Sequence, residues 1–169
     1  MAEVISEYKI ANVVVTARID GRLDCAHIAR RTPNCEYDPG RFAALKHRVR
    51  FQGSAPTFLV FESGKIVCVG SASVEMARAA VERFLRHLDS ICILGALDAP
   101  VEVQNIVAHS NCGRAINLDT LVRDRWQHCH YEPELFPGLK CSVEAAGHAM
   151  VCNIFSTGKM VVTLSLIHI

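Results

Sequence analysis

The chain has no Cys-x-x-Cys pair, although it carries eight cysteines, at positions 25, 35, 68, 92, 112, 129, 141 and 152. That absence excludes a zinc ribbon and a thioredoxin-type redox motif. An excess of charge of one sign is missing too: 18 Lys and Arg face 17 Asp and Glu, a formal +1. Bulk electrostatics therefore gives little support to nucleic-acid binding, and any such function must come from local placement. No apolar run approaches the roughly 18 residues that span a bilayer. The opening Met1-Ala2-Glu3-Val4 lacks the basic-then-apolar pattern of a signal peptide, so a soluble protein is expected. There is no Gly/Ser linker, charge block or low-complexity tract. Several cysteines sit in apolar, strand-like stretches such as Val67-Cys68-Val69 and Val151-Cys152-Asn153. Reduced, buried thiols of an intracellular protein are expected, not a disulfide framework. His128-Cys129-His130 looks like a ligand cluster, but neighbours in an extended segment point to alternate sides. No metal, cofactor or catalytic residue is expected.

What the chain does have is a repeat. Tyr37-Asp38-Pro39-Gly40-Arg41-Phe42 returns as Tyr131-Glu132-Pro133-Glu134-Leu135-Phe136. Phe61-Glu62-Ser63-Gly64-Lys65-Ile66-Val67 returns as Phe155-Ser156-Thr157-Gly158-Lys159-Met160-Val161, at the same spacing. Asn12-Val13-Val14 returns as Asn105-Ile106-Val107. A period this long marks a duplicated domain half and not a short-unit solenoid. Residues 1–95 are read as the first repeat and 96–169 as the second, incomplete at its C-terminus. Two equivalent halves suit a ligand of near-twofold symmetry, such as duplex DNA.

Each repeat runs in the same order. An extended segment (Asn12 to Ile19, Asn105 to Ser110) precedes a short helix opened by Asp24 or Asp119, since Asp is a good N-cap. The Tyr-acid-Pro loop follows, then short strands, roughly Leu45 to Phe51, Thr57 to Glu62 and Lys65 to Val69 in the first copy. Ser63-Gly64 and Thr157-Gly158 mark tight turns. The first copy closes with a long helix, about Ser73 to Leu94. Its apolar stripe is Val74, Ala77, Val81, Phe84, Leu85, Leu88 and Ile91, with Glu82 and Arg86 placed to pair. Gly95 should end it. The second copy shows no matching helix before Ile169, and its tail from Leu164 is unlike its counterpart.

The strands leave a problem of cover. Leu59 and Phe61 share one side of their strand and Val60 the other, yet both sides are apolar. One long and one short helix per repeat can cover a single face. The second face would be a large apolar surface, which soluble monomers rarely leave bare, and it calls for a flat or saddle-shaped partner.

These residues resemble the conserved core of the TATA-box-binding protein family over about residues 9 to 163. The resemblance rests on Tyr131 to Leu139, Gln104-Asn105-Ile106-Val107, Arg41-Phe42-Ala43-Ala44 and the doubled Phe-x-x-Gly-Lys. It implies an α+β fold: a saddle of two pseudo-twofold repeats, a curved antiparallel sheet with helices on the convex face. The family's concave sheet lies in the DNA minor groove and kinks it with phenylalanine pairs; that geometry is the family's own, carried over with the resemblance. The implied wedges are Phe42 with Phe61 and Phe136 with Phe155. Asn12 and Asn105 would donate to minor-groove acceptors, which mainly separates A·T from G·C. Val14, Val67, Val107 and Val161 would exclude the guanine amino group. Thr16 and Thr163 match polar contacts, Leu59 and Val69 complete the contact set, and Arg48, Lys65 and Lys159 would neutralise phosphates. Glu132, Pro133, Glu134 and Leu135 would meet general transcription factor IIB; factor IIA and TATA-binding-protein-associated factors are further implied partners, and the nucleus the implied location.

The chain also departs from the family pattern. Val69 stands where the family has threonine, Asn153 where it has leucine, Ser142 where it has arginine, and His109 where it has a small residue. A divergent member or TATA-binding-protein-related factor fits, working in promoter recognition. The alternative is a protein-interaction scaffold that kept the fold with weakened or altered DNA binding. An RNA-binding sheet also uses exposed aromatics, but no RNP1-like run is present.

Overall fold

The computed structural model describes residues 7–92, 100–123, 128–145 and 147–166. Chain contacts divide it into two compact units, one of Asn12–Gln104 and one of Met1–Ala11 with Asn105–Ile169. The first unit takes its elements from β1 (Lys9–Arg18), α1 (Cys25–Arg31), β2 (Cys35–Glu36), β3 (Ala44–Arg48), β4 (Thr57–Phe61), β5 (Lys65–Ser71) and α2 (Val74–Cys92). Its strands order as β2-β3-β4-β5-β1, with antiparallel neighbours.

Alternation in the sequence becomes alternation in burial. Val13, Val15 and Ala17 on β1, Phe58 and Val60 on β4, and Ile66 and Cys68 on β5 are buried. The covering layer comes from Ala77, Ala80, Val81, Phe84, Leu85 and Leu88, the helical stripe that the period of 3.6 selects. Phe58 and Phe84 stack with ring centroids 4.4 Å apart, which fixes α2 over the sheet. Caps begin both helices: the Asp24 carboxylate accepts from the His27 N–H at 2.8 Å, and Ser73 Oγ from the Met76 N–H at 3.1 Å. Val74 and Ile91 on the expected stripe are only half-buried, and no ion pair joins Glu82 to Arg86. The expected helix end at Leu94 and Gly95 lies outside the described residues.

One strand is shorter than expected. β3 stops at Arg48 because Gln52 and Gly53 take positive φ (46° and 78°), and Phe51 and Ser54 close the turn with reciprocal backbone bonds of 3.0 and 2.9 Å. The β4–β5 turn needs glycine. Gly64 has φ +83°, and a Cβ there would collide with the Ile19 carbonyl oxygen.

The second unit holds most of β6 (Glu102–Asn111), then α3 (Leu118–Arg123), β7 (Cys129–His130), β8 (Gly138–Ala145), β9 (His148–Phe155) and β10 (Lys159–Ser165). Its order, β6-β10-β9-β8-β7, repeats that of the first unit, again antiparallel. The core is smaller: Leu118, Leu139, Cys141 and Ile154, with Ile116, Tyr131 and Met160 packed against it. Among the described residues no helix follows β10.

Two expectations fail in this unit. Asn117, not Asp119, caps α3, its Oδ1 accepting from the Thr120 N–H at 3.1 Å; Asp119 lies inside the first turn, where its charge still favours the helix dipole. The cysteines are not all reduced: Cys129 and Cys141, directly opposed on β7 and β8, form a disulfide. Register places the pair together, and residue spacing alone does not reveal it. Cys35, Cys68, Cys112 and Cys152 are free thiols. No helix among the described residues is long and apolar enough to cross a membrane.

Candidate nucleic-acid interface

Directly opposed residues in an antiparallel pair share a face. In the first unit Val14 opposes Val69, Thr16 opposes Val67, and Val67 opposes Leu59. Thr57 lies between Val69 and Arg48, Lys46 opposes Leu59, and Ala44 opposes Phe61. These residues occupy the face opposite the α2-covered core. Asn12, Val14, Thr16, Leu59, Phe61, Val67 and Val69 are all half-exposed, whereas Val13, Val15, Ala17, Phe58, Val60, Ile66 and Cys68 between them are buried. Every sequence-predicted residue of this repeat that lies on a strand, Arg48 and Lys65 included, falls on that one face.

Phe42 reaches the face from a loop. The Asp38 carbonyl accepts from the N–H groups of Arg41 and Phe42 at 3.0 and 2.9 Å, while the Asp38 side chain accepts from Gly40 N–H at 3.1 Å. This turn delivers Phe42, 41% exposed, to 6.5 Å from the Phe61 ring centroid at an interplanar angle of 60°. The loop is anchored from behind, where Tyr37 donates to Glu62 at 2.9 Å and Arg22 pairs with Glu62 at 2.8 Å. The Tyr37 hydroxyl and then the Arg22 guanidinium hold the Glu62 carboxyl below its usual range, and the same hydrogen bond pushes Tyr37 up.

Asn12 is oriented before any ligand arrives. Its Oδ1 accepts from the Gly70 N–H at 2.7 Å, which leaves its amide N–H groups as the available function. Thr16 is engaged as well, accepting at Oγ1 from Gln104 Nε2 at 2.8 Å. Lys46 was not singled out by the sequence. It shares the open face, and its ammonium lies 5.2 Å from the Phe42 ring centroid, a cation–π distance that steadies the ring. Its repeat mate Lys140 stands at the corresponding place in the second unit; a lysine recurring at the repeat offset was the signal that could have found both.

The second unit repeats this arrangement. Val107 opposes Thr163, His109 opposes Val161, and Asn153 lies between Val161 and Lys140. Asn105, Lys159 and Phe155 fall on the same face by alternation. Phe136, 42% exposed, sits 5.8 Å from Phe155 at 64°. Gly138 makes room for this pair, since a Cβ there would lie 2.7 Å from Phe136 Cε1 and 3.1 Å from Phe155 Cε1. The loop uses the same backbone turn, with Leu135 and Phe136 N–H groups donating to the Glu132 carbonyl at 3.0 and 2.9 Å. Leu135 projects from it, 81% exposed, beside exposed Glu132, Pro133 and Glu134. Asn105 differs from Asn12: its Oδ1 is buried and has no hydrogen-bond partner among the described residues.

No group of three metal-ligating side chains occurs among the described residues. Burial pushes the Cys35 and Cys68 thiols up to about 11, so neither is a ready nucleophile. Each unit offers one face of paired aromatic rings, valines, an asparagine and flanking lysines, suited to apolar contact and hydrogen-bond donation.

Comparison with known proteins agrees with this reading. Residues 7–91 and 100–166 match the family model described as transcription factor TFIID, or TATA-binding protein. The chain is 41% identical to the TATA-box-binding protein of Archaeoglobus fulgidus, over 92% of this chain and 83% of that one. It is 37% identical to that of Methanococcus aeolicus, over 94% and 84%. The solved structure of Methanococcus jannaschii TBP superposes with a TM-score of 0.75 at 34% identity, covering 93% of this chain and 87% of that one. Paired aromatic loops, doubled strand order and the family match converge: the chain belongs to the TATA-box-binding protein family.

Proposed function

We propose that this protein is a general transcription factor that recognises A·T-rich, TATA-type promoter DNA through the minor groove, bends it, and nucleates preinitiation-complex assembly. The observation that carries the reading is the placement, in each unit, of a phenylalanine pair, an asparagine and paired valines on one face of the strands, which in the first unit is the face opposite α2. The role of each follows from its chemistry. Phe42 with Phe61, and Phe136 with Phe155, wedge into base steps; burying each ring contributes about 1.5–3 kcal/mol, against a few kcal/mol to unstack a step. Asn12 and Asn105 donate to the acceptors that A·T pairs present in the minor groove. Val14, Val67, Val107 and Val161, with Leu59 and Val69, press against the groove floor and leave no room for the guanine amino group. Thr16 and Thr163 supply polar contacts. Arg48, Lys65 and Lys159, joined by Lys46 and Lys140, meet phosphates and supply the salt-dependent part of affinity.

The exposed loop of Glu132, Pro133, Glu134 and Leu135 is proposed as the docking point for factor IIB. Factor IIA and TATA-binding-protein-associated factors are proposed as further partners. Similar chains come from eukaryotes such as Triticum aestivum as well as from archaea, so a nuclear location is proposed for a eukaryotic source only.

The test is a labelled A·T-rich duplex whose end-to-end distance reports bending. Saturable binding that weakens with salt and shortens the end-to-end distance supports the reading; no binding at low salt rejects it. A scaffold role without DNA is favoured by one observation: Asn153 and Ser142 put polar groups on the second unit's open face, while the Leu135 loop stays accessible. Factor IIB binding in the absence of any duplex affinity would select that alternative.

A further inference from the structure

On the helix side of the first unit lies a cavity of about 320 Å³, within the range of small-ligand sites, between the end of α1, β3 and α2. Its lining includes Thr32, His47, Arg48, Arg50, Arg83 and His87 and contains no carboxylate. Neither Arg50 nor Arg83 makes an ion pair with a described residue, and Arg48, which projects to the open face, only borders the cavity. Arg83 is held in place, its guanidinium 5.8 Å from the Phe51 ring centroid. His87 is fixed by a 2.9 Å hydrogen bond between its Nε2 and the Thr32 hydroxyl.

The second observation is His47. It is only 6% exposed, stacked on Phe84 at 5.3 Å, and its Nδ1 has no hydrogen-bond partner among the described residues. Burial holds this imidazole toward its neutral form, with the nearby His87 adding to the effect, while the Asn34 and Pro33 carbonyls pull the other way. A buried, unpaired ring nitrogen beside a cluster of guanidinium groups is a costly arrangement unless something fills it.

We propose that this cavity binds a small phosphate monoester carrying a hydroxyl group. The arginine forks match phosphoryl oxygens in bidentate geometry. The neutral Nδ1 accepts a hydrogen bond from the hydroxyl, and the walls of Val49, Phe51 and Phe84 take the ester carbons. The site belongs to the first repeat alone: Cys141 and Ser142 stand where His47 and Arg48 would recur, and Cys141 is closed into the disulfide. It is separate from the open face, to which only Arg48 at the rim contributes.

The full chain is titrated with glycerol 3-phosphate and with inorganic phosphate at matched ionic strength, following histidine ring resonances and the melting temperature. Saturable shifts of the His47 and His87 signals and a concentration-dependent rise in melting temperature are expected, with the ester binding more tightly than phosphate. Arg50→Gln combined with Arg83→Gln, both on the surface, should keep the ligand-free melting temperature and weaken binding by about tenfold or more. Arg83→Lys, which keeps the charge and loses the fork, should fall between. The proposal is overturned if the histidine signals stay unmoved at millimolar ester, or if the arginine variants bind as the parent does.

Discussion

The two repeats share strand order, wedge pair and loop turn, yet differ in how they are closed. In the first, α2 seals Val13, Val15, Ile66 and Cys68 completely. Their mates in the second, Ile106, Ala108, Met160 and Val162, are half-exposed. The wedge loops differ too: Tyr37 and Arg22 converge on Glu62 in the first, whereas Ser156 stands in place of Glu62 in the second and Glu132 pairs with His130 at 2.8 Å. The described strands of both repeats share one geometry, while the burial of their inner faces and the anchoring of their wedge loops differ.

Several experiments can break or sharpen that contrast. The largest effect is expected at the wedges: Phe42→Ala with Phe61→Ala removes about 3–6 kcal/mol of ring burial, lowering duplex affinity by a hundredfold or more. The same double change at Phe136 and Phe155 should cost less if the better-anchored repeat contributes more; equal losses by fluorescence titration would erase the distinction. Phe84→Ala, beneath α2, should cost about 3–5 kcal/mol of stability in urea unfolding. Met160→Ala, on the less covered sheet, should cost well under half of that. Gly138→Ala places a methyl group against both rings of the second pair, and overpacking of this kind costs about 1–3 kcal/mol. It should reduce bending at that half, while Ala44→Gly in the first half should change bending little.

Smaller effects concern charge. Lys65→Gln and Lys159→Gln should each flatten the salt dependence of binding by about 0.9 in logarithmic slope, the signature of one phosphate contact. Neither should alter A·T preference. The Glu62 anchor is the finest test. Because its partners hold the carboxyl low, the favourable contribution is present above the usual carboxylate range and is lost as pH falls through the lowered value. Glu62→Gln should remove that acid sensitivity of the Phe42 loop, read by Phe42 ring resonances between neutral and acid pH; an unchanged profile would show that the anchor does not position the ring.

Much of this was legible in the sequence, for physical reasons. Alternation in Asn12 to Ala17 and Phe58 to Phe61 encodes which side is buried, and the helical stripe from Ala77 to Leu88 encodes what buries it. The glycine turns were readable because only glycine tolerates the approach at Gly64 and Gly158. What escaped depends on register and competition. Cys129 and Cys141 become partners through the pairing of β7 with β8, which residue spacing does not state. Asn117 and Asp119 both suit a helix start, and geometry chose the asparagine. Lys46 sits between two buried residues and gains its meaning only when Phe42 folds over onto it. The cavity behind β3 combines side chains far apart in the chain, so no local pattern announces it.

The bond from Gly70 to Asn12 carries a further consequence. With its oxygen held by the Gly70 N–H, this amide is fixed in orientation, and flipping to present its oxygen to a donor would break that bond. A promoter in which a central adenine is exchanged for 2,6-diaminopurine keeps its pairing and major-groove surface but adds an amino group below. Such a duplex should be refused where Asn12 meets the groove, and Asn12→Ala should relieve that refusal, which ties one backbone hydrogen bond to the choice of base.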